Sequence, residues 1–300
     1  MSANTFEHVL ETALSKAQHH STVEVERILR RRLGQTTAVQ APLPFADLWS
    51  LADLEVAHVS VLTAAPLDIQ RQVAHDLAYA RFTEAYAIEK AGMSFAAKMS
   101  LLAPSLNEQK LYSLFAAEEA RHFDFIDRSL GHPEHLAANP FIDLLNQLIA
   151  NGDRSELLLL VQVVLEGWGI EHYAKMAHSC QHPEAKLALQ GILADEAAHH
   201  GSGLSLFNVQ SLTSAEQELL VTQLKHFLYL VAVGPVGILS VLEKHLGPFS
   251  DAQKQQILQE LNAEAETQRK LNLLKGLLHK AGAHEIIGIL EQEQAFCPVL

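Results

Sequence analysis

The feature that most constrains this chain is an ungapped internal repeat. The segment EKAGMSFAAKM (89–99), followed by AEEARH (117–122), is matched by EGWGIEHYAKM (166–176), followed by ADEAAH (194–199). One offset of 77 residues superposes both parts. It pairs Glu89 with Glu166, Gly92 with Gly169, AKM with AKM, Glu119 with Glu196 and His122 with His199. In all, nine positions are identical in a window of 34. Alanine matches carry little weight in an alanine-rich chain. Matched Glu, Glu and His carry much more.

The spacing has a physical meaning on helices. Glu and His three residues apart lie on one helix face, about one turn apart. Two such helices facing one another present two imidazoles and two carboxylates. Two further helices add Glu89 and Glu166. Four buried carboxylates repel one another strongly, and two divalent cations would balance them. Mixed oxygen and nitrogen ligands suit iron or manganese. Glu89, Glu119, His122, Glu166, Glu196 and His199 are therefore the expected ligands of a di-metal carboxylate site in a four-helix bundle.

Each of these residues has a plainer reading as an exposed helix charge. The apolar neighbours Leu114, Phe115, Ile192 and Leu193 argue against it for the two ExxH pairs. Glu84 competes with Glu89, and Glu171 with Glu166; the repeat register selects Glu89 and Glu166. The apolar run LLLLVQVVL (157–165) before Glu166 favours its burial. His200 has Phe123 as its counterpart, so nothing in the repeat requires a histidine there.

The remaining pattern is helical throughout, with no alternating strand signal. Helices are expected over 3–33, 46–63 and 67–102, with a loop over 35–47. Ser105 with Glu108 has capping-box spacing and opens a helix to about Leu130. A connector at 131–140 and a short apolar stretch follow. Asp153 with Glu156 opens a helix to about Cys180, and Pro183 opens one to about Gln210. Ser214 with Gln217 starts another, which Gly234-Pro235 breaks. Further helices are expected over 251–280 and 284–295. No low-complexity linker intervenes. The expected organisation is an all-α domain with an N-terminal helical extension (1–66), a four-helix core (67–212) and C-terminal helices (213–300).

With its Glu, ExxH, Glu, ExxH order, the segment 67–210 resembles the ferritin-like di-iron carboxylate superfamily. EEARH and DEAAH resemble the motifs of its oxygen-activating branches: bacterial multicomponent monooxygenases, aldehyde-deformylating oxygenases, arylamine N-oxygenases and the ribonucleotide reductase small subunit. The resemblance implies a ferritin-like four-helix bundle holding two iron ions, with Fe/Fe the expected pair and Mn/Fe the alternative. It implies a non-haem oxidoreductase, monooxygenase-like, that activates O2 to hydroxylate, N-oxygenate or desaturate a small organic substrate. An external electron donor, a reductase or a ferredoxin, follows from that chemistry. Ribonucleotide reduction fits poorly, because Ile126, with Phe125 beside it, stands where that family carries a radical tyrosine. A haem-oxygenase-like helical fold is the structural rival, but its motifs are not a doubled ExxH. Iron handling or peroxide scavenging, as in ferritins and rubrerythrins, is the functional alternative.

Around the ligands, Asp195 and Glu118 are candidates to orient a facing histidine. In resembling proteins an aspartate at the place of Asp195 does so, which would pair it with His122. Arg121 is a candidate ion-pair partner there. Gly167 and Gly169 flank Trp168 inside a helix, where glycine costs roughly 1 kcal/mol relative to alanine. They point to a substrate or O2 cavity, a π-bulge or close helix packing. Phe82, Tyr86, Met93, Phe115, Phe123 and Ile170 complete the candidate pocket. His172 is a weak candidate for an extra ligand.

Composition closes off other classes. A formal charge of −13 disfavours a nucleic-acid partner. The two cysteines, Cys180 and Cys297, form no CxxC, which excludes a rubredoxin-type centre. No signal peptide is visible, and the apolar runs 157–165 and 227–239 are too short or interrupted to span a bilayer. A cytoplasmic protein without a membrane partner is expected. The helices outside the core have the length to cover a pocket or to form a homodimer interface. An acidic donor would need a basic patch, for which Arg30, Arg31 and Arg32 are the candidate; a solvated helix end is their plainer reading.

Overall fold

Every regular element is helical in the computed structural model, which describes residues 23–33, 42–133 and 139–299. Helix α1 (Val23–Arg32) precedes a 3-10 turn at Phe45–Asp47 and a single turn, α2 (Ser60–Thr63). Then come α3 (Leu67–Leu102), α4 (Leu106–Leu130), α5 (Pro140–Asn151) and a short α6 (Arg154–Glu156). A π-helical segment, Leu157–Leu165, leads directly into α7 (Glu166–Ser179), and α8 (Pro183–Leu206) follows. A 3-10 turn at Val209–Ser211 precedes α9 (Ser214–Ala232), α10 (Val236–Leu246), α11 (Asp251–Glu260), α12 (Ala263–Lys280) and α13 (His284–Gln292). The predicted N-terminal helix is described only from Val23, and most of the predicted 35–47 loop lies outside the described residues.

The helix ends follow from local chemistry. Ser105 caps α4 by accepting from the Glu108 backbone N–H at 3.2 Å, and Gly131 ends it in the left-handed conformation (φ 74°). Only that half of the predicted capping box forms, because the Glu108 carboxylate pairs with Arg154 at 2.6 Å. Asp153 and Glu156 form the full box. Three expectations are corrected. The box before α9 is Thr213–Glu216, one residue earlier than Ser214–Gln217, because Thr213 and Glu216 satisfy each other's backbone N–H groups. The predicted 251–280 helix breaks at Asn262, which takes φ 50°. The predicted 46–63 helix is mostly turns. Asp53 accepts from both the backbone and the hydroxyl of Ser50, and Glu55 has φ 63°.

The chain divides into two compact units, residues 1–43 with 82–162 and residues 44–81 with 163–300. Each unit carries one copy of the repeat. The first unit buries Phe82, Phe95, Met99, Tyr112, Phe125, Ile126 and Ile149. Tyr112 packs edge-on against Phe95 and Phe115 and donates to Gln162 at 2.8 Å. Lys98, itself buried, donates to the carbonyls of Ile149, Ala150 and Gly152 at 2.7–3.1 Å. It thereby closes the C-terminus of α5, whose last carbonyls lack helix partners.

In the second unit α7 and α8 pack closely, and α12 lies against α7. Trp49 donates to the Met176 carbonyl at 3.1 Å and stacks under Arg81. Helix α9 packs on α12 and α13 through buried Leu220, Leu224, Phe227, Leu228 and Val231. By length and composition alone Ser214–Leu246 could cross a membrane, with mean hydropathy 1.7 and 28% of the window buried. The Val233–Pro235 break divides it into α9 and α10.

Candidate metal centre

In the first unit α3 supplies Glu89, and α4 supplies Glu119 and His122. These residues are 1%, 4% and 4% exposed. His122 Nδ1 lies 3.2 Å from Glu89 Oε2 and 3.9 Å from Glu119 Oε2. Each of the three offers a ligand atom within 4.8 Å of the others. Gly92, one turn after Glu89, is what admits Glu119. A Cβ there would sit 2.4 Å from Glu119 Oε2 and 2.8 Å from its Cδ.

The second unit repeats the arrangement. Glu166 opens α7, while α8 supplies Glu196 and His199. All three are buried, and His199 Nδ1 lies 3.5 Å from Glu166 Oε2. Their ligand atoms again fall within 4.8 Å of one another. Gly169 faces Glu196 as Gly92 faces Glu119, with more room: a Cβ would stand 3.5 Å from Glu196 Oε2. The repeat pairs the two glycines, and the expected roles of Gly169 (a cavity, a π-bulge or close helix packing) do not include facing the ExxH glutamate. A matched glycine inside a helix was the signal.

The competing carboxylates separate as the repeat register requires. Glu84 is only half-buried, whereas Glu89 is buried. Glu171 is engaged by Arg269 and lies 3.9 Å from Lys175. Leu114, expected to mark the buried face, is 63% exposed, whereas Phe115 and Ile192 are buried. Glu118 and Arg121 form a loose pair at 3.9 Å, with Arg121 41% exposed. Such a pair contributes little. Asp195 is half-buried on α8. Arg31 is exposed on α1; the side chains of Arg30 and Arg32 lie outside the described residues.

Of the candidate pocket residues, Phe82 meets Phe125 and Tyr86 meets Phe123, with ring centroids 6.1 and 4.8 Å apart. Burial and the nearby charge of Asp127 push the Tyr86 hydroxyl up to about 12. Phe115 packs on Tyr112. Met93, Gly169 and Ile170 are half-buried. The space beside Gly167 is taken by the His200 ring and by Leu277. A cleft of about 290 Å³ in the second unit is lined by Ala46, Arg71, Gln72, His75, Asp76 and His245, none of them a predicted site residue. His172 stays neutral: burial, then Arg81, Lys270 and Lys175, lower its pKa to about 4. Its Nε2 is buried without a hydrogen-bond partner among the described residues.

Residues 76–207 match the model of the ferritin-like domain, with both copies of the repeat inside the match. This segment is a ferritin-like domain. No curated protein and no solved structure matches the chain. The ferritin-like domain begins within α3 and ends just after α8, so α9–α13 lie outside the matched segment. Within it, each buried trio removes two carboxylates and one imidazole from water. Uncompensated burial of such charge is costly. Hard carboxylate oxygens with one nitrogen are also the donor set that iron and manganese accept. The buried Glu and His groups of this domain could thus hold metal ions.

Proposed function

We propose that this protein is a non-haem di-iron oxidase or oxygenase that uses O2 to hydroxylate, N-oxygenate or desaturate a small organic substrate. The observation that carries the reading is the pair of buried trios, each a lone Glu with an ExxH pair, inside one ferritin-like domain. Glu89, Glu119 and His122 would hold one ion and Glu166, Glu196 and His199 the other, Fe/Fe or alternatively Mn/Fe. The two carboxylates of each trio match the charge of one divalent cation. Iron held there would supply the electrons and open positions that oxygen activation needs.

The protein's own part is binding, orientation and exclusion of water. As a ligand, each imidazole presents a lone pair from one ring nitrogen and keeps its proton on the other. Asp195 is proposed to receive that N–H from His122, fixing the ring. Phe82, Tyr86, Met93, Phe115, Phe123, Gly167, Gly169 and Ile170 are proposed to shape a dry approach for substrate. An external reductase or ferredoxin supplies electrons. The reading keeps the protein cytoplasmic, with a homodimer as the proposed assembly and without nucleic-acid or membrane partners.

The test is to reduce the iron-loaded protein anaerobically and admit O2, with and without a panel of small apolar and arylamine compounds. An oxidised organic product formed in proportion to the electrons supplied is expected. Oxygen consumption that leaves ferric mineral and no organic product would instead favour iron handling.

A further inference from the structure

After each ligand histidine the repeat loses its identity: Phe123 follows His122, and His200 follows His199. The partners of these two residues are nonetheless equivalent. Phe123 packs on the Tyr86 ring at 4.8 Å, and His200 Nδ1 lies 3.0 Å from the carbonyl oxygen of Val163. Tyr86 and Val163 are related by the same offset of 77, and each lies three residues before the lone glutamate, Glu89 or Glu166. In both copies, therefore, the ExxH helix braces the neighbouring helix one turn upstream of its glutamate.

What differs is the backbone being braced. Around Tyr86, α3 is regular α-helix, whereas Val163 lies in the π-helical segment Leu157–Leu165, which stops just before Glu166. A π turn bonds i to i+5 and takes in an extra residue. At about 100° per residue, where that segment ends decides which way Glu166 faces. A carbonyl can only accept, so His200 Nδ1 carries the proton of this bond. The ring is 8% exposed and lies over Gly167, where a Cβ would come within 2.8 Å of Cε1 and 2.9 Å of Nδ1. Gly167 is thus the seat of the ring, and Leu277 of α12 closes that seat.

We infer that His200 is a positioning residue: its bond to the Val163 carbonyl fixes the end of the π segment and so aims the Glu166 carboxylate. The aim matters for metal under the di-metal reading, on which the inference rests. His200→Leu removes the donor while filling much of the space. His200→Asn keeps a donor where Nδ1 stands. Gly167→Ala displaces the ring from below. Ferrous or cobaltous titration of the folded proteins is expected to show one of two ions bound about tenfold or more weakly in H200L and G167A. The optical or Mössbauer signature of one ion should change with it, and H200N should restore both readouts. Wild-type affinity and spectrum in H200L would overturn the inference. If the wild-type protein takes up no pair of ions, the di-metal reading fails by itself. Hydrogen exchange of the metal-free proteins then decides the inference: faster exchange over 157–165 in H200L but not H200N supports it, and equal protection overturns it.

Discussion

At the residue scale the two glycines make opposite predictions. An added Cβ at Gly92 falls on the Glu119 carboxylate at 2.4 Å, whereas at Gly169 it meets Glu196 at an ordinary 3.5 Å. Alanine raises intrinsic helix stability by about 1 kcal/mol at either position. Gly92→Ala is therefore expected to weaken metal binding at least about tenfold without lowering the Tm of the metal-free protein. Gly169→Ala should bind nearly as wild type does. Metal titration beside thermal unfolding distinguishes the two. His172 gives a pH prediction. Its folded pKa of about 4 lies below the ordinary 6.5. The unfolded chain therefore binds more protons as pH falls through that window, and stability is lost on the way down. The loss is on the order of 2 kcal/mol by pH 5. His172→Phe, which copies its counterpart Phe95, should flatten the decline between pH 7 and pH 5 in urea unfolding. An unchanged slope would show that His172 does not carry it.

At the element scale the same repeated tripeptide does two jobs. Lys98 is buried and donates to three carbonyls at the end of α5, whereas its counterpart Lys175 is 47% exposed and pairs with Glu55 at 3.0 Å. Lys98→Met should destabilise the protein by about 3 kcal/mol, because it orphans buried acceptors of a charged donor. Lys175→Met should cost under about 1 kcal/mol. Denaturant midpoints compare them directly. The limits of α3 and α4 were legible because Pro66, Pro104, Ser105 and Gly131 act within a few residues of the ends they set. The break at Asn262 was not legible, since an asparagine inside a helical pattern gives no local sign that it will turn left-handed. The π segment was only partly legible. The sequence tied a π-bulge to Gly167 and Gly169, yet the segment lies just upstream, in a run of apolar residues with no breaker. His200 was set aside for lack of a matching histidine, because its role lies in a bond to a distant backbone carbonyl.

At the scale of the molecule, the duplication seen in the sequence is a duplication of structure. Each compact unit holds one Glu–ExxH trio, built from equivalent helices and faced by an equivalent glycine. The six candidate ligand positions could be picked out by one offset because helix spacing converts sequence distance into a shared face. The chain beyond α8 has no counterpart in the repeat, so its role was hidden from that reading. We propose that each trio holds one metal ion, two per chain. Elemental analysis of protein reconstituted anaerobically with ferrous iron and desalted tests it most directly, alongside Glu119→Ala and Glu196→Ala. About two iron atoms per chain in the wild type and a loss of iron in both variants are predicted. A wild-type protein that retains no iron, or a Glu196→Ala variant that still holds two, would contradict it.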